Sequence, residues 1–272
     1  MKRLNGQLLI GILIILGALI LSIGCGSKSP TTATPPASNP VDIPVVADPI
    51  IENVLTGLQN KDYPAFSKDL SQGAKVVLSQ TSFDQLYTQM QTALGDYQSK
   101  ILFSSDIKDS KITAIYIAEY SKEPAGVFIT LVLQPAGIGY QIEGLTFDSP
   151  NLRGQPLDVN GLTAYANPET ENVLISLSNG EYTAFSKDLD QAMKTAFSQQ
   201  AFDQLRNQMK SSVGDYRSKM YKAATAQNNI ATVIYLAEYS NEPSGVWVTI
   251  SFNGAQQVAG LYFSSPKMLL AQ

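Results

Sequence analysis

The feature of this 272-residue chain that most constrains its fold is an internal repeat. The stretch Ala118–Val127 reads AEYSKEPAGV, and it returns at Ala237–Val246 as AEYSNEPSGV. Over residues 48–133, an offset of about 119 residues pairs about 40 identical residues in about 86 positions, far above chance. Because this period is too long for a solenoid repeat, the pattern predicts two tandem domains.

The repeat and the composition around it divide the chain into five segments. We predict a leader at residues 1–24, a tether at 25–47, a first domain at 48–150, a linker at 151–166 and a second domain at 167–272. The tether is rich in Pro, Ser, Thr and Ala, a composition that cannot bury enough apolar surface to fold. The linker follows Pro150 and contains Pro156 and two glycines, as exposed domain boundaries commonly do.

The N-terminal segment has the pattern of an export signal. Lys2 and Arg3 precede an apolar run over Leu8–Ile23, and a small residue, Gly24, comes before Cys25. Such a leader predicts that the body of the protein lies outside the cytoplasm.

The end of the leader, Leu21-Ser22-Ile23-Gly24-Cys25, resembles the lipobox of bacterial lipoproteins. In that family the cysteine is diacylated and the leader is cut before it. The resemblance implies lipid attachment at Cys25 and a mature protein anchored on the outer side of a membrane. Gly26 is not the aspartate that retains lipoproteins at the inner membrane, so in a host with two membranes the resemblance favours the outer one. A plain transmembrane anchor is the alternative interpretation of this apolar run.

The composition disfavours most catalytic chemistry. The chain has no histidine, which removes the commonest general base and the usual zinc ligand, and its single cysteine lies in the lipobox. No cluster of metal ligands and no glycine-rich phosphate loop is present in the sequence. The net charge of −4 disfavours a nucleic-acid partner. We therefore expect no enzymatic activity, no catalytic residue, no metal and no cofactor.

Within each copy, helical spacing gives way to strand alternation. In the first copy Val54, Leu55 and Leu58 predict a short helix, Asp62 caps a second one, and Ser82-x-x-Gln85 resembles a capping box for a third that ends at Gly95. The strands are predicted at Tyr97–Ile107, Lys111–Tyr120, Gly126–Leu133 and Tyr140–Phe147, with a turn over Ser121–Ala125. This order predicts an α+β fold, with N-terminal helices packed on a curved four-stranded antiparallel sheet in each domain.

Two resemblances follow from these segments. The opening Leu58-x-Asn60-x-Asp62-Tyr63-x-Ala65-Phe66 resembles the first helices of the NTF2-like and cystatin-like superfamily. The whole unit, through the closing Gly144-Leu145-x-Phe147, resembles domain-of-unknown-function family 3887. That family occurs in exported bacterial proteins, sometimes ahead of an α/β-hydrolase domain, and it brings no established catalytic residues to this chain.

The repeated polar side chains are the candidate binding residues. They are Tyr97, Tyr116, Glu119 and Tyr120 in the first copy, and Tyr216, Tyr235, Glu238 and Tyr239 in the second. Strand alternation places Tyr116 and Tyr120 on one face and Glu119 on the other. The tyrosines could bind a sugar, peptide or lipid in the concave mouth of the sheet. Alternatively, they are core and cross-strand aromatics, with Glu119 solvated or paired to a lysine such as Lys100.

These observations predict a cell-envelope lipoprotein that acts as a non-catalytic binding or protein-interaction module. Its partner would be another exported protein or an envelope polymer. The alternative is a small-ligand carrier or sensor with a pocket between sheet and helices. Phe128 and Trp247 occupy equivalent places on the third strands. We expect the two domains to cover these rings by forming an internal pseudo-twofold pair, so that the protein is a monomer.

Overall fold

The computed structural model of the protein describes residues 41–270. The predicted leader, the predicted lipidation site at Cys25 and most of the predicted tether lie outside the described residues. From Val41 onward the described chain forms one compact unit. No helix within residues 41–270 is long and apolar enough to span a bilayer.

The first copy consists of four helices followed by four strands. The helices are α1 (Ile43–Gln59), α2 (Tyr63–Ser67), α3 (Gln72–Val77) and α4 (Gln80–Ala93). The strands are β1 (Tyr97–Lys108), β2 (Lys111–Tyr120), β3 (Glu123–Ala136) and β4 (Gly139–Asp148).

The second copy has the same order of elements. Its helices are α5 (Val159–Asn179), α6 (Tyr182–Phe185), α7 (Gln191–Ala196) and α8 (Gln199–Ser212). Its strands are β5 (Tyr216–Gln227), β6 (Ile230–Tyr239), β7 (Glu242–Phe252) and β8 (Val258–Ser264), and the short α9 (Pro266–Leu270) follows them. The predicted α+β class with two tandem domains is confirmed.

Each copy forms an antiparallel four-stranded sheet whose strands are neighbours in chain order. One face of each sheet packs against the helices, and a separate hydrophobic core fills each space. In the first copy Leu55 of α1, Phe83 of α4 and Ile129 of β3 are fully buried members of one core. The sheet's inner face is therefore closed by the helices, while its outer face is left for other contacts.

The first helix of each copy begins earlier than the sequence indicates. α1 starts at Ile43, inside the predicted tether, because Asp42 caps it and Pro44 lies in the first turn, where its missing N–H needs no partner. α5 starts at Val159, inside the predicted linker, where the Asp158 carboxylate accepts from the backbone N–H of Gly161. Prolines that indicate an unfolded segment by composition are here compatible with the start of a helix.

Two details of the prediction for the first copy are wrong. Ser82 does not cap α4, because Ser79 occupies that position and accepts from the backbone N–H of Ser82 at 3.4 Å. The segment Ser121–Ala125 is not all turn, since β3 already begins at Glu123. Pro124 is tolerated in this strand because the register shifts between Ala118 and Tyr120, and a proline at such a bulge breaks no regular ladder.

Two predicted helix termini are confirmed. Asp62 caps α2 by accepting from the backbone N–H of Ala65 at 3.1 Å. Gly95 ends α4 with a φ of 75°, and its N–H donates to the carbonyl oxygen of Met90 at 3.2 Å. A positive φ favours glycine at this position because an L side chain would be strained there.

The outer faces of the two sheets contact each other. Ile117 of the first sheet and Ala223 and Ile234 of the second form a small buried cluster. Around it, the rings of Phe103 and Trp247 meet edge to face with centroids 5.1 Å apart. The two copies are thus joined by an apolar contact as well as by the connecting chain.

The contact between the copies is unequal on its two sides. β3 and β5 approach closely, and a Cβ added at Gly126 would lie 3.1 Å from both Ala223 Cβ and the carbonyl oxygen of Lys222. The Tyr221 hydroxyl donates across the contact to the carbonyl oxygen of Pro124 at 3.0 Å. At the counterpart of Gly126, Gly245, an added Cβ would instead meet Leu236 of its own sheet at 2.8 Å. The second sheet therefore keeps more of its outer face uncovered than the first.

Candidate functional site

In the first copy, two of the predicted tyrosines lie beneath α1. The Tyr116 hydroxyl donates to Asp48 Oδ1 at 2.7 Å, and the Tyr97 hydroxyl donates to Glu52 Oε2 at 3.3 Å. Lys100 Nζ lies 3.8 Å from Asp48 and 3.5 Å from Glu52, and it sits 5.3 Å from the centre of the Tyr116 ring. A single lysine thus balances two carboxylates at the helix–sheet boundary.

The second copy repeats this cluster beneath α5. The Tyr235 hydroxyl donates to Asn167 Oδ1 at 2.8 Å, and the Tyr216 hydroxyl lies 3.0 Å from both carboxylate oxygens of Glu171. Lys219 Nζ pairs with Glu171 at 3.0 Å and sits 5.0 Å from the centre of the Tyr235 ring. The one chemical difference is Asn167, which stands where the first copy has Asp48.

Burial decides what these tyrosines can do chemically. Tyr116 is 0% exposed and Tyr235 is 1% exposed. Burial raises the pKa of Tyr116 well above its usual range, and the hydrogen bond to Asp48 raises it further. Burial likewise raises the pKa of Tyr235 to about 12. Both phenols stay protonated at physiological pH and serve as hydrogen-bond donors inside the fold.

The remaining two tyrosines are packed as cross-strand pairs. The ring of Tyr120 lies 5.7 Å from that of Tyr97, and Tyr239 lies 5.7 Å from Tyr216. Tyr120 is 7% and Tyr239 6% exposed. The structure therefore brings the predicted tyrosines together in each copy, but on the face that the helices cover. They fill the space between sheet and helices. This position corresponds to the interpretation of the tyrosines as core and cross-strand aromatics.

The predicted glutamates lie on the opposite face, as strand alternation requires. Glu119 accepts from the Ser99 hydroxyl, and Glu238 accepts from the Ser218 hydroxyl, both at 2.9 Å. Glu119 Oε1 also lies 3.8 Å from Lys222 Nζ of the other copy. The lysine suggested as its partner, Lys100, belongs instead to the cluster beneath α1.

Sequence reasoning missed the role of a second repeated glutamate. Glu123, 3% exposed, accepts from the backbone N–H of Ala125 at 3.2 Å and of Asn151 at 2.8 Å. Glu242, also 3% exposed, accepts in the same way from Ser244 and from Lys267, at 3.4 and 3.2 Å. Each carboxylate ties the start of the third strand to the turn that follows the fourth strand.

A repeated Ser-Pro pair is the signal that could have revealed these ties. Ser149-Pro150 and Ser265-Pro266 follow the last strand of each copy, and both serines are buried. The hydroxyl of Ser149 accepts from the backbone N–H of Leu152 at 3.2 Å, and Ser265 accepts from Met268 at 3.3 Å. A serine cap before a proline starts a helical turn, and that turn presents backbone N–H groups to the glutamate.

The outer face of the second sheet carries an apolar strip that sequence reasoning did not identify as a unit. Met220, Leu236 and Trp247 are direct cross-strand neighbours on β5, β6 and β7, and Tyr262 of β8 lies beside them. Met220 is 59% and Tyr262 63% exposed. We call these four residues the sheet strip. Because Trp247 also touches Phe103, the strip continues the contact between the copies out to solvent.

Two hollows in the described part of the chain are candidate spaces for a small ligand. A cavity beside Arg206 and Tyr239 has a volume of about 10 Å³, enough for a single water molecule. A larger hollow of about 680 Å³ is an open groove between α4 and the turn at Asn151–Gly154, lined mainly by Thr and Gln side chains. Within residues 41–270, no group of three or more Asp, Glu, His or Cys side chains is placed to hold a metal ion.

Comparison with known proteins gives a family match for the second copy. Residues 170–261 match the family described as "Protein of unknown function (DUF3887)". This span runs from α5 to β8, and the match supports the family for the second domain. No curated protein matches the chain. No solved structure matches it either.

Proposed function

We propose that the protein is a lipid-anchored module of the bacterial cell envelope that binds a partner without transforming it. The observation that carries this proposal is the sheet strip, a row of Met, Leu, Trp and Tyr side chains whose two ends, Met220 and Tyr262, are exposed. Aromatic residues and methionine are enriched in the cores of protein interfaces. Exposed apolar side chains in a continuous row are also less common on monomeric proteins than scattered single ones.

The repeated polar residues support binding over catalysis. The tyrosines of both clusters donate to Asp48, Glu52, Asn167 and Glu171, and Glu123 and Glu242 accept from backbone N–H groups. These groups are already paired inside the fold, so they are not poised to attack or protonate a substrate. The alternative, a carrier with a ligand between sheet and helices, receives less support because tyrosine rings occupy that space.

The partner we propose is an exported protein or an envelope polymer. A rigid strip with two exposed ends, Met220 and Tyr262, fits an extended segment that crosses the strands better than a small molecule. A photo-crosslinking side chain placed at Tyr262 in the native host tests this. We expect a discrete adduct at Tyr262, and none when the same group replaces Ile175, which is 43% exposed on α5. Equal labelling at both positions, or none at Tyr262, would contradict a partner on the strip.

The lipid anchor is a separate part of the proposal and has its own test. Cells labelled with a radioactive fatty acid should incorporate the label into the wild-type protein and not into Cys25→Ser. The substituted protein should also keep its leader. Undiminished label in Cys25→Ser would show that the cysteine is not the attachment site. Because Cys25→Ser does not alter the sheet strip, crosslinking at Tyr262 can still be measured in that variant. The lipid anchor and the partner site are therefore tested independently.

A further inference from the structure

We infer that the hairpin end of the first domain docks on the lipid surface through three exposed aliphatic side chains, Val45, Ile107 and Ile138. This inference rests on the proposed lipid anchor and adds an orientation to it. We call this region the hairpin end, because the turns between β1 and β2 and between β3 and β4 lie there. The sheet pairing places both turns at the same end, since the start of β2 pairs with the last part of β3.

The described chain begins at this same end. The C-terminal residue of α1, Gln59, accepts from the backbone N–H of Tyr97 at the start of β1. Asp48, nearer the N-terminus of α1, instead meets Tyr116 in the middle of β2. Moving back along the helix therefore moves toward the hairpin end, so the described chain begins at Val41 on this side of the domain. The covalent path from Cys25 to Val41 can span at most about 55 Å, so a lipid on Cys25 holds Val41 within that distance of the bilayer.

Three of the exposed side chains at this end are aliphatic. Val45 in the first turn of α1 is 69% exposed, and Ile107 at the end of β1 is 42% exposed. Ile138, in the β3–β4 turn, reaches 112% of its reference accessible surface, so nothing in the described chain covers it. An isoleucine projecting from a hairpin tip has no packing role in its own fold.

The second copy provides an internal comparison. The counterparts of Val45 and Ile107 are Ala164 and Ala226, and the β7–β8 turn has Ala255 in place of an isoleucine. At one position the second copy has the exposed aliphatic side chain: Ile230, 38% exposed, stands where the first copy has Lys111. Because the same fold forms with alanine at three of these places, the larger side chains of the first copy are not needed to build it.

The charges around the hairpin end favour a neutral lipid surface as the occupant. Lys108 and Lys111 lie beside Asp106 and Asp109 near the β1–β2 turn, and Lys111 is paired with Glu143 at 2.7 Å. Charges of both signs give little net attraction to anionic headgroups, so insertion of apolar side chains is the available interaction. Anchoring raises the local concentration of the domain at the bilayer, which allows a weak insertion to be populated.

The test imposes the anchor chemically, so that it does not depend on lipidation by a cell. Residues 25–272 are coupled through Cys25, the single cysteine, to a maleimide lipid in phosphatidylcholine vesicles. Trp247, the single tryptophan, is replaced by Phe, the residue at its counterpart Phe128, and Ile138→Trp supplies the probe. Brominated phosphatidylcholine should quench this probe about twofold and shift its emission to the blue, as expected for insertion at the interface. The matched probe Ala255→Trp, in the same background, should stay unquenched.

Two further outcomes bear on the inference. Adding Val45→Ser and Ile107→Ser to the Ile138→Trp variant should return quenching to the level of the Ala255→Trp control, with unchanged circular dichroism. Equal quenching of both probes, or of neither, would overturn docking at this end. Emission that follows the density of protein on unbrominated vesicles would also overturn it, because the hairpin end would then contact a second copy. Since Cys25 is coupled chemically, any of these results leaves the proposed cellular lipidation untouched.

Discussion

The Tyr116 hydroxyl donates to Asp48 Oδ1 at 2.7 Å, and the equivalent Tyr235 hydroxyl donates to Asn167 Oδ1 at 2.8 Å. The same bond therefore joins helix to sheet in both copies, once with a charged acceptor and once with a neutral one. A chain that contains both versions allows them to be compared in one molecule.

Removing each hydroxyl should destabilise its copy by a different amount. Tyr116→Phe should lower the free energy of unfolding by about 2 kcal/mol and Tyr235→Phe by about 1 kcal/mol, because hydrogen bonds to charged groups are the stronger ones. Asp48→Asn is the matched control and should make the first copy respond to Tyr116→Phe as the second responds to Tyr235→Phe. Urea unfolding measures all of these variants, and equal losses for both tyrosines would contradict the role of the Asp48 charge.

The pKa of Glu169 should make stability depend on pH. Burial is the main cause that raises this pKa from 4.5 to about 7; nearby Asp188 contributes to the rise and Lys187 opposes it. A folded-state pKa above the unfolded one means that the folded protein binds the proton more tightly. The stabilisation that the bound proton provides is therefore full below about pH 4.5 and is lost as the pH rises toward 7.

Glu169→Gln tests this dependence. Because the carboxyl is only partly buried, we expect the substitution to stabilise the protein by about 1 kcal/mol at pH 8 and to have little effect at pH 4. Thermal unfolding at the two pH values measures the difference. The first copy has Ile50 at the equivalent position, so a hydrophobic side chain is compatible with the fold there. If the difference in stability between Glu169→Gln and the wild type were the same at both pH values, the raised pKa of Glu169 would be ruled out.

Glu123 should hold the turn after β4 in place. Glu123→Ala leaves the backbone N–H groups of Ala125 and Asn151 without their acceptor, and we expect a loss of about 2 kcal/mol in unfolding free energy. Trypsin should then cut faster after Arg153. Glu242→Ala is the matched change in the second copy. It should lower the unfolding free energy by a similar amount without speeding trypsin cleavage after Arg153. If both variants sped this cleavage equally, the effect of Glu123 on the turn would not be local.

The contact between the copies should be visible in the fluorescence of the single tryptophan. Phe103→Ser removes the ring that meets Trp247 edge to face, so the emission should shift to the red and the unfolding free energy should fall by about 1 kcal/mol. Ser105→Ala, in an exposed part of the same strand, is the control and should change neither. An unchanged emission maximum in Phe103→Ser would show that the two sheets do not meet at Trp247 in solution.

The faces of the strands were predictable because side-chain alternation is fixed by backbone geometry. Tyr116 and Tyr120 share a face and Glu119 lies on the other, as the sequence indicates. What the alternation cannot show is which face the helices cover. A tyrosine paired with a carboxylate of its own fold and a tyrosine in a ligand site have the same sequence pattern, and the deciding partner, Asp48, lies 68 residues away in the chain.

The side chains that join the two copies could not be predicted from the sequence. The aromatic side chains at Phe128 and Trp247 indicate outer faces that need cover, and both are half-buried in the structure. The partner of Trp247 is nevertheless Phe103, whose counterpart in the second copy is Lys222. Which side chains meet depends on how the two sheets are rotated against each other. Bulges, such as the one beside Phe103, affect that rotation. The alternation of side chains along a strand does not show where such bulges occur.

Native mass spectrometry of protein extracted with detergent from the membranes of its own host tests the central claim most directly. We predict a chain that begins at Cys25, carries covalent lipid, and retains a non-covalent partner that is lost in a Met220→Ser, Tyr262→Ser double variant. A chain that still begins at Met1, or a wild-type protein with no more bound partner than the double variant, would contradict a lipid-anchored binding module.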